Sequence, residues 1–185
     1  MEKKYRLTEE TTNIADKTLY RIEALKDFGD VKRDDKGGFI ENENNLSQCG
    51  NCWVYGNAKV CSNAKVRGNA KVCDNASVFD NAAVQGNAKV YGNAKVYGNA
   101  WIYGNVKIYG NVKIYGYARV CGSVKVYGNA EVYDDALVYA NAIVCDDAIV
   151  CDDAKVYDNA EILGNARICG NAEVCDNADY IVFKN

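Results

Sequence analysis

The stretch VYGNAKVYGNAWIYGNVKIYGNVK (90–113) decides the fold, because it repeats one six-residue unit four times without an insertion. The same unit begins at Val54 and recurs in steps of six as twenty-one hexads, the last of which starts at Val174. A fixed period of this kind is typical of solenoids, in which each repeat stacks on its neighbours. We therefore predict a solenoid over residues 54–179.

Two positions of each hexad suit the interior of such a solenoid. One is the aliphatic residue, and the other is the fourth residue after it, which is small except at Val106, Val112 and Val124. Between them stands mostly Gly or Asp followed by Asn, and these residues tolerate the positive φ of a sharp corner. Each hexad is therefore interpreted as a short strand followed by a corner.

This spacing of an aliphatic and a small residue resembles the hexapeptide repeat of left-handed parallel β-helices. The resemblance implies an all-β fold, a single-stranded left-handed parallel β-helix with three hexads in each triangular coil. Twenty-one hexads then make about seven coils, a rod of about 34 Å at the usual strand spacing. The left hand follows from the resemblance, since parallel crossovers are otherwise nearly always right-handed.

The two ends of the chain depart from the repeat. Residues 1–53 are predicted to form a small N-terminal β cap, with strands at 4–8 and 19–25 and a tight turn at 34–38. A cap is expected because the end of a solenoid exposes unpaired backbone. Residues 180–185 are predicted to form a C-terminal plug.

The amino-acid sequence of the cap shows a second resemblance. The stretch TLYRIEALKDFGDVKRDDKGGFIENENNLSQCGNCWVYGNA (18–58) resembles a leader that precedes hexapeptide repeats in small proteins of low-GC bacteria and their phages. This likeness implies a bacterial, phage or prophage origin and transfers no activity. No signal peptide or membrane-spanning run is apparent, so we expect a cytoplasmic protein without membrane contact.

The absence of histidine bears on catalysis. The resemblance to left-handed β-helices implies acyltransferases or carbonic anhydrases, which use His as a general base or as a metal ligand. This chain contains no His, and no coil carries the inserted loop that commonly forms an acceptor site. We therefore expect a protein that is not an enzyme and holds no cofactor.

The nine cysteines are expected to remain free thiols, because their number is odd and no secretion signal is apparent. Cys49 and Cys52 form a CxxC pair, but the hexad register directs Cys49 outward and Cys52 inward, which favours a structural role. Cys151 and Cys169 are eighteen residues apart and are predicted to stack in adjacent coils. Their parallel arrangement suits a disulfide poorly, so we expect them to stay reduced.

Acidic corners form a weak candidate for a metal site. The eighteen-residue period stacks two pairs of adjacent carboxylates, and Ca²⁺ prefers oxygen ligands of this type. A solvated acidic corner is the alternative, because a flat ladder converges few ligands. The four residues are Asp134, Asp135, Asp152 and Asp153.

The outward positions form candidate binding ladders. The period stacks one column of lysines, whose mutual repulsion an anionic partner would relieve, and two columns of aromatic residues. Lysines on exposed strands also prevent aggregation, so a role in solubility is the alternative. The basic column is Lys71, Lys89, Lys107 and Lys125, and the aromatic columns are Tyr91, Tyr109 and Tyr127, and Phe79, Tyr97, Tyr115 and Tyr133.

One coil carries an apolar residue in the outward slot that Lys, Arg or Glu usually holds. Leu137, Ile143 and Ile149 occupy that slot, and Trp101 is predicted to share a column with Leu137. Exposed apolar residues that gather in one place are typical of protein interfaces. We treat these four residues as a second candidate interface.

Charge is polarised along the chain despite a net charge of −3. Residues 54–128 contain ten basic and two acidic residues, whereas residues 129–185 contain three and twelve. Such asymmetry can orient an encounter with a charged partner.

Three functions remain open. The first is a non-catalytic binding protein, for example an inhibitor of a host defence complex, with a protein or a protein–nucleic-acid complex as partner. The second is a structural β-helix that self-assembles as a homo-oligomer. The third is a degenerate relative of the hexapeptide acyltransferases.

Overall fold

The computed structural model describes residues 2–175, which wind into a parallel β-helix with three sheets. Val54 pairs with Val72, and Val72 pairs with Val90, so the predicted period of eighteen residues is confirmed. Among the described residues the only helical segment is a 3₁₀ turn at Glu43–Asn45. The architecture fits a left-handed β-helix with an N-terminal cap, as predicted.

Each sheet forms one face of the prism, and we name the three faces by their contents. The ten-stranded cap face contains Tyr5–Ile14 (β1), Lys17–Ala24 (β2), Lys36–Ile40 (β3), Lys59–Val60 (β5), Ser77–Val78 (β8), Lys95–Val96 (β11), Lys113–Ile114 (β14), Glu131–Val132 (β17), Ile149–Val150 (β20) and Arg167–Ile168 (β23). The seven-stranded lysine face contains Trp53–Val54 (β4), Lys71–Val72 (β7), Lys89–Val90 (β10), Lys107–Ile108 (β13), Lys125–Val126 (β16), Ile143–Val144 (β19) and Glu161–Ile162 (β22). The seven-stranded tryptophan face contains Lys65–Val66 (β6), Ala83–Val84 (β9), Trp101–Gly104 (β12), Arg119–Gly122 (β15), Leu137–Val138 (β18), Lys155–Val156 (β21) and Glu173–Val174 (β24).

The core consists of the aliphatic and small residues of the hexads, apart from Ala172, which is exposed near the end of the described residues. Val90 and Ala94 are fully buried, and their equivalents in the neighbouring coils are buried to the same degree. Because side chains alternate along a strand, the residues on either side of each aliphatic residue point outward. Burial of one Val or Ile side chain contributes about 1.5–3 kcal/mol. The hydrophobic stabilisation is thus spread evenly along the rod.

The corners adopt the predicted conformation. Gly92 has φ +72° and Asp134 has φ +56°, which places both residues in the left-handed region. The Asn that follows Gly92 takes part in a ladder, because Asn75 Nδ2 donates to Asn93 Oδ1 and Asn93 Nδ2 donates to Asn111 Oδ1. Coils are therefore joined at the corners by side chains as well as by backbone.

The cap merges with the helix earlier than the hexad count indicates. Strands β1, β2 and β3 pair antiparallel, but β3 then pairs parallel with β5 through Phe39↔Lys59 and Ile40↔Val60. Residues 36–53 consequently wind one additional coil, so the solenoid has about eight coils rather than seven. The boundary predicted at residue 53 falls at the end of this coil, so the predicted cap contains the coil. The offset here is twenty residues, which conceals the coil from a search for hexads.

The glycine pair at 37–38 was predicted to form a turn and instead lies inside β3. A Cβ added at Gly37 would lie 2.6 Å from the Val54 carbonyl oxygen, and one at Gly38 would lie 2.5 Å from that of Ala58. These glycines therefore allow close approach of two backbone segments. The turn lies just before them, at Asp34 with φ +70°. The strands predicted at 4–8 and 19–25 are observed as the longer β1 and as β2.

The N-terminal residues close the first coil. Lys4 Nζ donates to the carbonyl oxygens of Cys52 at 2.9 Å and Gly50 at 3.3 Å, and Tyr5 Oη donates to that of Leu46 at 2.7 Å. Burial lowers the pKa of the Lys4 ammonium. Trp53 occupies an outward slot but is buried, because Tyr5 packs edge-on against its ring. The plug predicted at 180–185 lies outside the described residues.

Candidate functional site

The lysine face carries the basic column that the sequence predicts. Strand pairing places Lys71, Lys89, Lys107 and Lys125 next to one another in four successive coils. Lys71 donates to the Asp30 carboxylate of the cap at 2.6 Å, and this hydrogen bond lowers the pKa of Asp30. The other three lysines are exposed, and within residues 2–175 no carboxylate lies in ion-pair distance of them.

A row of tyrosines runs beside this column on the same face. The rings of Tyr91 and Tyr109 stack at 5.1 Å between centroids, and those of Tyr109 and Tyr127 stack at 5.0 Å. Each tyrosine lies two residues after a lysine of the column, so both side chains point to the same side of the sheet. Because the rings cover one another, the row presents hydroxyl edges rather than aromatic faces.

Two tyrosines of this row, Tyr91 and Tyr127, have raised pKa values. Burial raises the pKa of Tyr91. The hydrogen bond with the Cys145 thiol and, secondly, burial raise the pKa of Tyr127 to about 12. These two hydroxyls therefore stay protonated at neutral pH and add no negative charge beside the ammonium groups.

The second aromatic row lies on the cap face and is balanced by acidic residues. Phe79, Tyr97, Tyr115 and Tyr133 stack at 4.8–4.9 Å, as the eighteen-residue period predicts. Beside this row Lys113 Nζ pairs with the Glu131 carboxylate at 2.8 Å, and Tyr115 Oη donates to the same carboxylate at 3.4 Å. This row consequently offers less free positive charge than the lysine face.

The apolar candidate does not form one surface. Leu137 lies on the tryptophan face, Ile143 on the lysine face and Ile149 on the cap face, because consecutive hexads occupy consecutive sides of the prism. All three side chains are half-buried by their neighbours, whereas Trp101 is exposed. The prediction that these residues gather is therefore wrong, although Trp101 and Leu137 do share a column as predicted.

Corner aspartates accept hydrogen bonds from the backbone of the next coil. Asp152 Oδ2 accepts the Gly170 N–H of the next coil at 2.8 Å, and Asp146 Oδ2 accepts the Gly164 N–H at 2.9 Å. Among the described residues, the carboxylates of Asp134, Asp135, Asp152 and Asp153 do not converge into a metal-binding group. The one group of possible ligand atoms within 4.8 Å of one another in residues 2–175 is Cys151, Asp152 and Cys169, in which the two cysteines are joined in a disulfide.

The cysteines are arranged partly as predicted. Cys49 is exposed and Cys52 is buried, so the CxxC thiols do face opposite sides of the wall. Cys151 and Cys169 form a disulfide, which corrects the expectation that they stay reduced. Parallel pairing of adjacent coils brings their Cα atoms to 4.7 Å, within the range that a disulfide spans.

Sequence reasoning missed three residues near Trp101. Tyr117 takes a corner slot that usually holds Asn, Ala83 takes an outward slot that usually holds Lys, and Arg119 follows Trp101 in its column. The signal was available, because each of the first two is a departure from an otherwise regular repeat. It was overlooked because the ladders were grouped by common residues instead of by exceptions.

Comparison with known proteins supports the fold. A family model described as the YdcK beta solenoid repeat matches residues 88–104 and 130–146. The chain is similar to this repeat. It is also 43% identical over 61 residues to a protein of Escherichia coli (strain K12) named uncharacterized acetyltransferase YdcK, a match that covers 29% of this chain and 19% of that protein.

The residues that the family model matches lie within the coils. The matched segment spans about a fifth of the E. coli protein. No helix in residues 2–175 is long and apolar enough to cross a membrane.

Proposed function

We propose that the protein is a non-catalytic binding protein whose lysine face docks on an acidic surface of a macromolecular partner. The observation that supports this most directly is the exposed column Lys89, Lys107 and Lys125, which has no ion-pair partner within residues 2–175 and lies beside stacked tyrosines. Like charges about 5 Å apart repel by roughly 1 kcal/mol in water, and an anionic partner relieves that repulsion.

The flat geometry favours a macromolecule over a small ligand. Three ammonium groups and three hydroxyl edges lie on one plane, and successive coils are about 4.8 Å apart, so the pattern extends over about 10 Å. We propose a protein or a protein–nucleic-acid complex as partner, in the bacterial cytoplasm, and a phage or prophage origin with inhibition of a host defence complex as the biological setting.

The test is capture of a partner from the native host by the wild-type protein and by a triple variant, Lys89→Glu, Lys107→Glu and Lys125→Glu. The matched control carries Lys59→Glu, Lys65→Glu and Lys95→Glu, which changes the net charge equally on the other two faces. We expect the first variant to lose at least 90% of capture and the control to retain most of it, since specific contacts lie on one face. Capture should also weaken from 50 to about 300 mM salt.

Equal capture by both variants and the wild type would contradict the lysine face as the binding surface. Each exposed substitution should change the free energy of unfolding by about 0.5 kcal/mol or less, so both variants should remain folded. Circular dichroism checks that they do.

A second candidate function is acetyl transfer, which the name of the E. coli relative favours. The absence of His argues against the usual general base of this fold. Incubation with acetyl-CoA and a panel of amine and hydroxyl acceptors should release no free CoA above the buffer rate. Release that depends on the protein would replace the binding function with an enzymatic one.

Self-assembly is the remaining alternative. Light scattering after gel filtration distinguishes it, because a binding protein of this kind should show one defined mass between 10 and 200 µM. Growth of the mass with concentration would instead support a structural, polymer-forming role.

A further inference from the structure

The tryptophan face contains a recess formed where the repeat is broken. Ala83 replaces a long outward side chain, Trp101 occupies the same slot one coil later, and Tyr117 replaces a corner Asn. Together with Asn99 and Arg119 they line a depression of about 280 Å³. Departures that are scattered along the sequence thus meet at one place on the surface.

Trp101 differs from the stacked tyrosines in what its ring can contact. Its side chain is 43% exposed, and its neighbours in the column are Ala83 on one side and Arg119 on the other. Neither neighbour is a ring that would cover it, and Tyr103 meets it only at a tilt of 45°. The indole therefore remains accessible to a flat ring, an arrangement that contributes about 0.5–1.5 kcal/mol beyond area burial.

Two side chains of the recess have hydrogen-bond donors without a partner among residues 2–175. Asn81 Nδ2 donates to Asn99 Oδ1, but the next position of this ladder is Tyr117, so the Asn99 Nδ2 group has no acceptor among residues 2–175. Arg119 is exposed, and no carboxylate in the described part of the chain pairs with it. One guanidinium and one amide donor consequently face the same space as the indole.

We propose that this recess binds a small ligand that combines one flat ring with one anionic group. The ring lies against Trp101 and Tyr117, and Arg119 binds the anion, since a guanidinium matches carboxylate and phosphate geometry. The volume lies just below the usual range of ligand pockets, about 300–1,000 Å³, which suits one ring system rather than a large cofactor. A nucleoside monophosphate and an aromatic carboxylate share this chemistry. The proposal does not depend on the function of the lysine face.

Calorimetric titration can test both ligand classes, the nucleotide and the aromatic carboxylate, and the separate contributions of the ring and the anion. AMP serves as the nucleotide probe and benzoate as the aromatic carboxylate, while adenosine lacks the anion and inorganic phosphate lacks the ring. We expect AMP or benzoate to bind with a Kd below about 5 mM, and we expect adenosine and phosphate, the two halves of AMP, to bind at least tenfold more weakly than AMP. Binding by AMP alone identifies the nucleotide and binding by benzoate alone the carboxylate. Failure of both at 10 mM overturns the proposal.

Two leucine variants test whether the ligand binds in the recess or elsewhere on the rod. Ala83→Leu fills the space with a residue that the same column already holds at Leu137, and Ser77→Leu places the same side chain in the equivalent slot of the cap face. We expect the first to weaken binding at least tenfold and the second to leave it unchanged. Equal affinity in both variants overturns the proposal.

The anion contact has its own test. Arg119→Gln should reduce the affinity for AMP or benzoate at least fivefold, while any binding of adenosine stays the same. Fluorescence provides a second readout, because the chain has two tryptophans and Trp53 is buried while Trp101 is exposed. A ligand that quenches the protein equally before and after Trp101→Phe does not occupy the recess, which also overturns the proposal.

Discussion

The basic coils at residues 54–128 and the acidic coils at 129–175 share one core and one backbone pattern, but they differ in charge. The basic part contains ten basic and two acidic residues, and the acidic part contains two and ten. Acidic side chains at the corners, such as Asp146 and Asp152, accept backbone N–H groups of the following coil. Lys89 and Lys107 have no such internal role. Asp74 and Asp80 in the basic coils make the same bond, so corner carboxylates support the coils in both parts, whereas these two lysines form no such contact within residues 2–175.

The largest effect should come from a corner glycine in the middle of the rod. Gly110 has φ +90°, and a Cβ there would lie 2.6 Å from the Gly128 carbonyl oxygen. Gly164 has φ +62°, and no described residue lies within 4 Å of its added Cβ. We expect Gly110→Ala to lower the free energy of unfolding by about 3 kcal/mol or more, because steric overlap adds to backbone strain.

The matched change Gly164→Ala should cost only about 1–2 kcal/mol, which is the strain of a left-handed residue alone. Urea unfolding followed by circular dichroism measures both. Equal losses would show that the middle coil can shift to admit the methyl group, and that the two parts of the rod differ less in packing than in charge.

A core truncation compares the same two parts. Ile108 is fully buried in the basic coils, and Ile168 is 4% exposed near the end of the described chain. Ile108→Ala should lower the free energy of unfolding by about 3–4 kcal/mol, because the cavity is enclosed on all sides. Ile168→Ala should cost about 1 kcal/mol less, since surrounding residues can relax into the space. A larger loss at residue 168 in thermal unfolding would contradict this ranking.

Alkaline pH should act on the tyrosine rows of the basic coils. Burial, and next the Glu131 charge, raise the pKa of Tyr115 to about 12, and the pKa of Tyr127 is also about 12. An unfolded tyrosine titrates near 10, so the folded state holds its protons longer. The contribution of these protonated tyrosines to the free energy of unfolding is therefore complete below about pH 10, and it is lost as pH rises towards 12.

Absorbance of tyrosinate at 295 nm should show a late titration step near pH 12. Tyr115→Phe combined with Tyr127→Phe should reduce the amplitude of that step. A single step near pH 10 in the folded wild type would disprove the shifted pKa values.

Much of the fold could be predicted from the sequence because one period governs it. The interior positions, the corner Gly and Asn, and the stacking of Lys89 on Lys107 follow directly from six and eighteen residues. The first coil could not be predicted, because its offset of twenty breaks that period, and the role of Gly37 depends on a backbone that approaches from elsewhere.

The candidate sites were predicted less well, for a geometric reason. A period places residues in columns, but it does not say which columns share a face unless the sides of the prism are assigned to consecutive hexads. Leu137 and Ile143 are neighbours in the repeat and lie on different faces. The disulfide of Cys151 and Cys169 likewise depends on side-chain directions that spacing leaves open.

The smallest effect should come from repair of the broken asparagine ladder at Tyr117. In the intact corner Asn93 Nδ2 donates to Asn111 Oδ1 at 3.1 Å, whereas Asn99 Nδ2 has no equivalent acceptor within residues 2–175. Tyr117→Asn supplies a carboxamide at that position and should raise the free energy of unfolding by about 0.5 kcal/mol, the lower end for one hydrogen bond, because the site is exposed.

Tyr117→Ala is the control, because it removes the ring without adding an acceptor and should give no such gain. The two variants should be compared by urea unfolding at identical pH and salt. If the Asn variant is more stable, the chain carries a less stable corner in order to present a 60% exposed aromatic ring beside Trp101, which is the pattern of a binding site. If both variants have the same free energy of unfolding as the wild type, the side chain at this corner does not affect stability, and Tyr117 does not destabilise the fold.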